Sequence, residues 1–235
     1  MGKHYAFSDI HGNYNLFEQI KSFLKQDDIC YVLGDCADRG NDGYKIIKEV
    51  FDDDRFVYVK GNHEQLFVSA ILSKERIRFQ EWFINGGQFT FEDYKKDGAP
   101  NNVIEQLQSL PQIATYTNKE GITYIMTHSG YEYDLPDDAR NNISNRKHFH
   151  HFDEIPENII LIHGHTPSKY LPIWGVKGKK LEFENDNNTG VVYCYNDGHK
   201  IDIDCGTVSS KFIVLYCLDD QKIIGFYESN QISIE

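Results

Sequence analysis

Several features that would place this chain in a membrane, a disulfide scaffold or a nucleic-acid complex are missing. No apolar run approaches the ~18 residues that a transmembrane helix needs, so no span is expected. Five cysteines, Cys30, Cys36, Cys194, Cys205 and Cys217, form no CxxC pair, and their odd number argues against a complete disulfide framework. They read as small hydrophobes in a reducing compartment, and a cytoplasmic location is expected. Positive charge is scarce: 24 Lys and Arg stand against 36 Asp and Glu, a net charge of −12, with no basic stripe. That balance disfavours broad binding to DNA, RNA or an anionic membrane, although a local positive site made by metal ions would still draw phosphates. Repeats and low-complexity tracts are absent, and "HYAFS" at 4–8 already carries strand pattern, so no leader segment is expected.

The chain does have 235 residues with 40% hydrophobic content, enough for one sizeable core and one domain over residues 1–235. Strand and helix patterns alternate from the start. After "HYAFS", apolar residues at Leu16, Phe17, Ile20, Phe23 and Leu24 stripe a helix over 14–25. "ICYVL" at 29–33 and "FVYV" at 56–59 read as strands, with helices at "GYKIIKEVF" and "EQLFVSAIL". This βαβαβα order predicts a parallel sheet covered by helices. Residues 74–110 read as a helical elaboration broken by Asn85-Gly86-Gly87, and "ITYIM" and "NIILI" as two further buried strands. The tail strands "VVYCY", "KIDID", "FIVLYCL" and "KIIGFY" are separated by turns at Asn196-Asp197-Gly198 and Asp219-Asp220, which predicts a second, mostly antiparallel sheet. The acidic stretch at 184–190 reads as an exposed loop.

Polar residues punctuate the strand ends. Asp9 and His11 follow the first strand, Asp35, Asp38 and Arg39 the second, Asn62, His63 and Glu64 the third, and His128 and His165 the later two. Ligands of open α/β sheets sit beyond the carboxyl ends of the strands, so these side chains are expected to converge. Asp9 and His11, two apart in extended backbone, share a direction and can share an ion. Asp35 has two oxygens and can bridge two cations. A mixed set of carboxylates, an amide carbonyl and imidazoles suits Mn²⁺, Fe or Zn²⁺ better than calcium. Two metals ~3.5–4 Å apart can lower the pKa of a water between them and clamp a phosphoryl group. His63 is then placed as general acid, Asp38 as its carboxylate partner, and Arg39 as a planar fork for phosphate.

Taken in order, "DIHGN", "GDCADRG", "GNHE", "THSG" and "HGHTP" resemble the calcineurin-like metallophosphoesterases, and more narrowly their bacterial and phage phosphoprotein phosphatase branch. "WFINGG" at 82–87 and "IDIDCG" at 201–206 resemble that group too. The resemblance implies an α/β fold with a central β-sandwich of mixed sheets flanked by helices, four layers αββα. It implies one metal on Asp9, His11 and Asp35, and a second on Asp35, Asn62, His128 and His165, with Mn²⁺ expected and Fe or Zn²⁺ as alternatives. His63 would be the proton donor with Asp38 as partner, and Arg39 and Asn62 would face the substrate. The implied activity is hydrolysis of phosphoserine and phosphothreonine in proteins by direct attack of water between the metals. Alternatives are a hydrolase of dinucleoside polyphosphates or other small phosphate esters, and a silent binding module. The expected partner is a phosphorylated protein or small phosphate ester; the oligomeric state is left open.

Some positions depart from the pattern. The family's second phosphate-binding arginine has no obvious counterpart; Arg146 is the first candidate and Arg140 the reserve. Thr166 and Pro167 follow His165 where nuclease-like branches carry a further histidine. His163 is expected to be structural, His148, His150 and His151 to form a solvated helix end, and Glu64 to brace the following helix.

Overall fold

The alternating N-terminal pattern folds as three parallel strands, β1 (His4–Phe7), β2 (Ile29–Val32) and β3 (Phe56–Tyr58). They are joined by α1 (Tyr14–Phe23) and α2 (Gly43–Asp52). The Asn13 side chain caps α1 by accepting the Leu16 N–H at 3.2 Å, and Leu16, Phe17 and Ile20 bury its apolar stripe. The stripe on α2 is Tyr44, Ile46, Ile47 and Val50. The structure is a computed structural model that describes residues 2–134, 143–184, 189–229 and 232–234.

Beyond β3 run α3 (Asn62–Ser73), α4 (Arg76–Ile84), α5 (Gln88–Lys96) and α6 (Asn101–Ser109). Next come β4 (Ile113–Thr117), β5 (Thr123–Thr127) and β6 (Ile159–His163). The chain then forms β7 (Gly178–Glu184), β8 (Thr189–Tyr195), β9 (Lys200–Asp202), the short helix α7 (Thr207–Ser210), β10 (Phe212–Cys217), β11 (Lys222–Tyr227) and β12 (Ile232–Ile234). Two mixed six-stranded sheets result, ordered β12-β11-β10-β1-β2-β3 and β4-β5-β6-β9-β8-β7. The expected α/β arrangement of mixed sheets flanked by helices is present.

The expected separate antiparallel tail sheet is not. The tail divides instead: β10 pairs antiparallel with β1, whereas β9 runs parallel to β6. Pattern alone could not assign these strands, because both β9 and β10 are buried along their whole length and carry no one-sided signature. β4 and β7 were absent from the predicted strands. They are the two edges of the second sheet, with largely exposed residues such as Lys179, Lys180 and Thr115. Edge strands avoid apolar runs because such runs invite aggregation, so the apolar pattern there is weak. Of the predicted exposed loop at 184–190, residues 185–188 lie outside the described residues.

One core lies between the first sheet and its helices, around Phe7, Phe17, Ile47, Phe67, Trp82 and Leu107. A second lies between the sheets, around Tyr124, Met126, Ile162, Ile201, Phe212 and Val214. Because β1, β2, β3, β5 and β6 all point one way, their carboxyl ends meet on one rim of the sandwich. No helix among the described residues is long and apolar enough to cross a membrane. The described cysteines are all free, and four are buried.

Candidate active site

The rim is built from strained backbone. Asp9, His11, Asp35, Asp38, Arg39 and His165 all have positive φ, between 45° and 72°, a region that L-residues avoid. Such conformations cost about 1–3 kcal/mol each and persist where the surroundings over-determine them. Here the neighbours do so. Glu64 accepts backbone N–H groups from Asp35 (2.8 Å), Cys36 (3.0 Å), Ala37 (3.1 Å) and Gly61 (3.0 Å). One buried carboxylate therefore caps α3 and holds the loop after β2 on top of it. Gly34, at φ +81°, lets that loop pass close to Gly61 and His128; a Cβ there would fall 2.5 Å from Gly61 Cα.

The helix α3 begins at Asn62, so Asn62 and His63 occupy its first turn. Asp35 Oδ1 accepts the His63 N–H at 3.0 Å, a carboxylate placed at the positive end of a helix. His128 Nδ1 donates to the Leu33 carbonyl at 2.7 Å, which turns its Nε2 toward Asn62 Oδ1 (2.9 Å) and Asp35 Oδ1 (3.3 Å). In the same way His11 Nδ1 donates to the Ala37 carbonyl at 3.0 Å, leaving Nε2 facing Asp9 Oδ1 at 3.8 Å and Asp35 Oδ2 at 3.7 Å. The His165 N–H donates to Asp9 Oδ2 at 2.8 Å, and Ser8 Oγ donates to the same oxygen. His165 Nε2 is buried without a hydrogen-bond partner.

These atoms fit metal binding. Donor atoms of His11, Asp35 and His63 lie within 4.8 Å of one another, as do those of Asp35, His128 and His165, with Asp35 common to both groups. Backbone carbonyls fix the two Nδ1 positions, the usual device that presents Nε2 to a metal. Burial lowers His11 to about 3 and His165 to about 2, so both imidazoles offer lone pairs. Burial also opposes charge on His128, but the Asp35 carboxylate outweighs it and pushes that ring up to about 10. Burial would raise Asp35; the neighbouring His128 and His63 rings hold it well below the usual carboxylate range instead. Both shifts mark a point where positive charge is favoured.

His63 lies at the edge of this ring of donors. Its Nδ1 meets Asp38 Oδ2 at 2.8 Å, and its Nε2 accepts from the Arg39 guanidinium at 3.0 Å. Burial lowers its pKa, but Asp35 and Asp38 more than offset that and leave it raised. A guanidinium on Nε2 opposes a cation at the same nitrogen and suits a proton carrier better. Arg39 is exposed at the mouth of the site, beside a cleft of about 370 Å³ lined in part by Asn13, Asn41, Lys211 and Glu228.

The structure thus brings together Asp9, His11, Asp35, Asp38, Arg39, Asn62, His63, His128 and His165. Arg146 joins them at the margin, with Nε donating to Thr166 Oγ1 at 3.0 Å next to His165. Arg140 lies outside the described residues. His163 faces away: Nδ1 donates to the Gly164 carbonyl at 3.2 Å, and Nε2 accepts from the Tyr195 hydroxyl at 2.7 Å. The expectation of a solvated His148 is wrong. That ring is fully buried against Phe149, 4.0 Å between centroids, because the turn carrying it packs on the outer face of the second sheet. His150 and His151 are exposed. Trp82 was read only as part of a motif; its indole N–H donates to Asp38 Oδ2 at 2.8 Å.

A sequence model of the calcineurin-like phosphoesterases matches residues 3–201. The chain belongs to that family. It is a metallophosphoesterase, a hydrolase of phosphate esters with a dinuclear site for divalent metals, and its candidate His and Asp ligand groups are in place. No curated protein matches it by sequence. Among solved structures, a protein assigned as a diadenosine tetraphosphatase is similar over 100% of this chain and 93% of its own, at 14% identity and a TM-score of 0.59. A cold-active protein-tyrosine phosphatase from Shewanella sp. covers 100% of this metallophosphoesterase and 80% of its own chain, at 15% identity and TM-score 0.58. A metallophosphoesterase from Sphaerobacter thermophilus covers 100% and 87%, at 14% identity and TM-score 0.51. At these identities the likeness extends to the fold alone.

Proposed function

We propose that this metallophosphoesterase removes phosphate from phosphoserine and phosphothreonine in proteins. The observation that carries this reading is the His63–Asp38 pair, a buried imidazole whose Nδ1 is held 2.8 Å from a carboxylate at the edge of the donor ring. A serine or threonine alkoxide is a strongly basic leaving group and needs a proton; a phenolate or a nucleotide phosphate is a far better one. A dedicated proton donor is therefore worth most on alkyl esters, where general acid catalysis contributes ~10²–10⁴-fold.

Asp9, His11 and Asp35 would hold one divalent ion, and Asp35, Asn62, His128 and His165 the other, with Mn²⁺ suited to this mixed donor set. When bound, the ions supply a lowered water pKa and charge neutralisation for the transferring phosphoryl group. Arg39 binds the phosphate oxygens as a planar fork, and in doing so leaves His63 Nε2, which then carries the proton to the departing alkoxide. Asp38 keeps the ring in the required tautomer throughout. Arg146, anchored through Thr166, is the second arginine at the phosphate. The Tyr14 ring in the adjoining cleft has Lys45 Nζ 3.3 Å from its centroid, so one face is already taken and is closed to a nucleobase.

The test is hydrolysis of a phosphoserine peptide, diadenosine tetraphosphate and p-nitrophenyl phosphate by protein stripped with chelator and reloaded with Mn²⁺. Preference for the peptide over the dinucleotide is expected. A clear preference for the dinucleotide overturns the substrate assignment, and full activity without metal overturns the site.

A further inference from the structure

The helical elaboration touches the site at three points, all within one hairpin. Trp82, on α4, is fully buried, and its Nε1–H donates to Asp38 Oδ2, the same oxygen that meets His63 Nδ1. Thr90, on α5, is fully buried too, and its hydroxyl accepts the Asp38 N–H at 3.0 Å. Between the helices, the Gly86 carbonyl accepts the Arg39 N–H at 3.1 Å. Asp38 and Arg39, the two residues so tethered, have φ of 68° and 64°. Glu64 holds the start of this loop, at Asp35 to Ala37, and the hairpin holds the next two residues.

The indole cannot swing away. Its ring stacks on Phe67 of α3, with centroids 4.7 Å apart and planes at 13°. Gly87 approaches the indole so closely that a Cβ there would fall 2.2 Å from Nε1. The Asn85-Gly86-Gly87 break that interrupts the helical pattern is therefore the place where backbone must pass both the indole and Arg39. Asp38 Oδ1 is buried with no hydrogen-bond partner, so both fixed contacts of the carboxylate fall on Oδ2.

We propose that the α4–α5 hairpin is a positioning device for proton transfer: Trp82 holds the Asp38 carboxylate against His63 while Thr90 holds the Asp38 backbone N–H, and together they control the rate for substrates whose leaving oxygen must be protonated. The proposal rests on the reading of His63 as proton donor. It makes Trp82 and Thr90 positioning residues, since neither meets the substrate. A purely packing role would affect all substrates alike, through stability. A positioning role discriminates by leaving group.

The experiment compares kcat and KM of Trp82→Phe and Thr90→Val with the wild type on a phosphoserine peptide and on p-nitrophenyl phosphate, with metal content and Tm measured alongside. Phe keeps the stack on Phe67 and removes the N–H; Val keeps the shape of Thr90 and removes the acceptor. In each variant kcat on the peptide is expected to fall about 10-fold, part of the general-acid contribution, with KM and the p-nitrophenyl rate within about 2-fold. Equal losses on both substrates, or no loss on either, overturn the proposal. Thr90→Val decides the matter if Trp82→Phe does not fold. His63→Asn is the control: if it loses both activities equally, the proton-donor reading has failed; if it loses only the peptide activity while the hairpin variants lose none, only the clamp has failed. An independent readout needs no turnover: in metal-free, ¹⁵N-labelled protein the Trp82 indole resonance is expected to exchange slowly with solvent and to move on Asp38→Asn. A rapidly exchanging indole overturns the clamp.

Discussion

Two clusters of buried histidines lie on opposite faces of the second sheet's carboxyl end, and their ring spacings are nearly the same. In the candidate active site His11 and His63 are 4.8 Å apart and His128 and His165 5.0 Å; on the outer face His148 and His163 are 4.9 Å apart. Their surroundings differ. The outer rings share one neutral hydroxyl, Tyr195, with His148 Nδ1 3.1 Å and His163 Nε2 2.7 Å from it, and the described residues give neither ring an ion pair. Burial pushes both pKa values down, His163 to about 3 and His148 well below its usual value, with the Lys200 ammonium reinforcing the shift. The inner rings meet Asp9, Asp35 and Asp38. An unpartnered nitrogen alone does not mark a ligand, because His148 Nε2 is unpartnered too and lies against the backbone of Gly130. Imidazole density is thus a poor signal, whereas imidazoles and carboxylates aimed at a common point are a good one.

The largest test of that contrast is Asp35→Asn. It is expected to empty the site and lower turnover by more than ~10⁴-fold, the several kcal/mol that a bound ion supplies. Elemental analysis showing full metal occupancy would remove Asp35 from its bridging role. His63→Asn comes next: metal retained, and turnover on a phosphoserine peptide down ~10²–10⁴-fold in steady-state assays. On the outer face, His163→Phe is expected to keep turnover within ~3-fold while costing about 1–3 kcal/mol in urea unfolding, because the Tyr195 O–H loses its buried acceptor and keeps only the contact with His148. Loss of metal from that variant would break the comparison.

The smallest effect sharpens it. Asp202, on β9, lies in register with His163 and is fully buried, with Oδ2 unpartnered. Burial first, and then the Asp204 charge, raise its pKa well above 3.8. A raised carboxyl pKa gives stability that is present below the unfolded value and lost as pH rises through the folded one. Asp202→Asn removes that loss, so a gain of about 1–2 kcal/mol at pH 7 is expected, shrinking toward zero near pH 3. Urea midpoints at the two pH values check it; a variant less stable at pH 7 would mean the carboxylate is satisfied after all.

The candidate site was far more legible than the routing of the chain. Asp9, His11, Asp35, Asn62, His63, His128 and His165 could be named as candidates because they follow successive apolar strands as a set, in an order that resembles a known family; any one of them alone would read as a cap or a surface residue. Glu64 was readable as a helix brace, since N3 glutamate caps are local. Its grip on the N–H groups of Asp35 to Ala37 was not, because that contact spans 29 residues. Trp82 was hidden in the same way: an aromatic in a helix reads as core, and its one polar atom reaches Asp38, 44 positions away. β4 and β7 escaped because edge strands disguise themselves, and His148 because a short polar turn does not announce the sheet it will pack on.

Local pattern by itself therefore determined the βαβαβα opening, the buried strands, the glycine-marked turns and the chemical type of the residues at the strand ends, but not the edge strands β4, β7 and β12. These depend on neighbours within a few positions, where sterics and side-chain periodicity act directly. Only the tertiary structure decided which sheet each tail strand joined, which histidines met carboxylates and which met a hydroxyl, and that a distant hairpin holds Asp38 in place. Such outcomes depend on which surfaces bury each other, and the free energy of that burial belongs to pairs of segments that no local window contains.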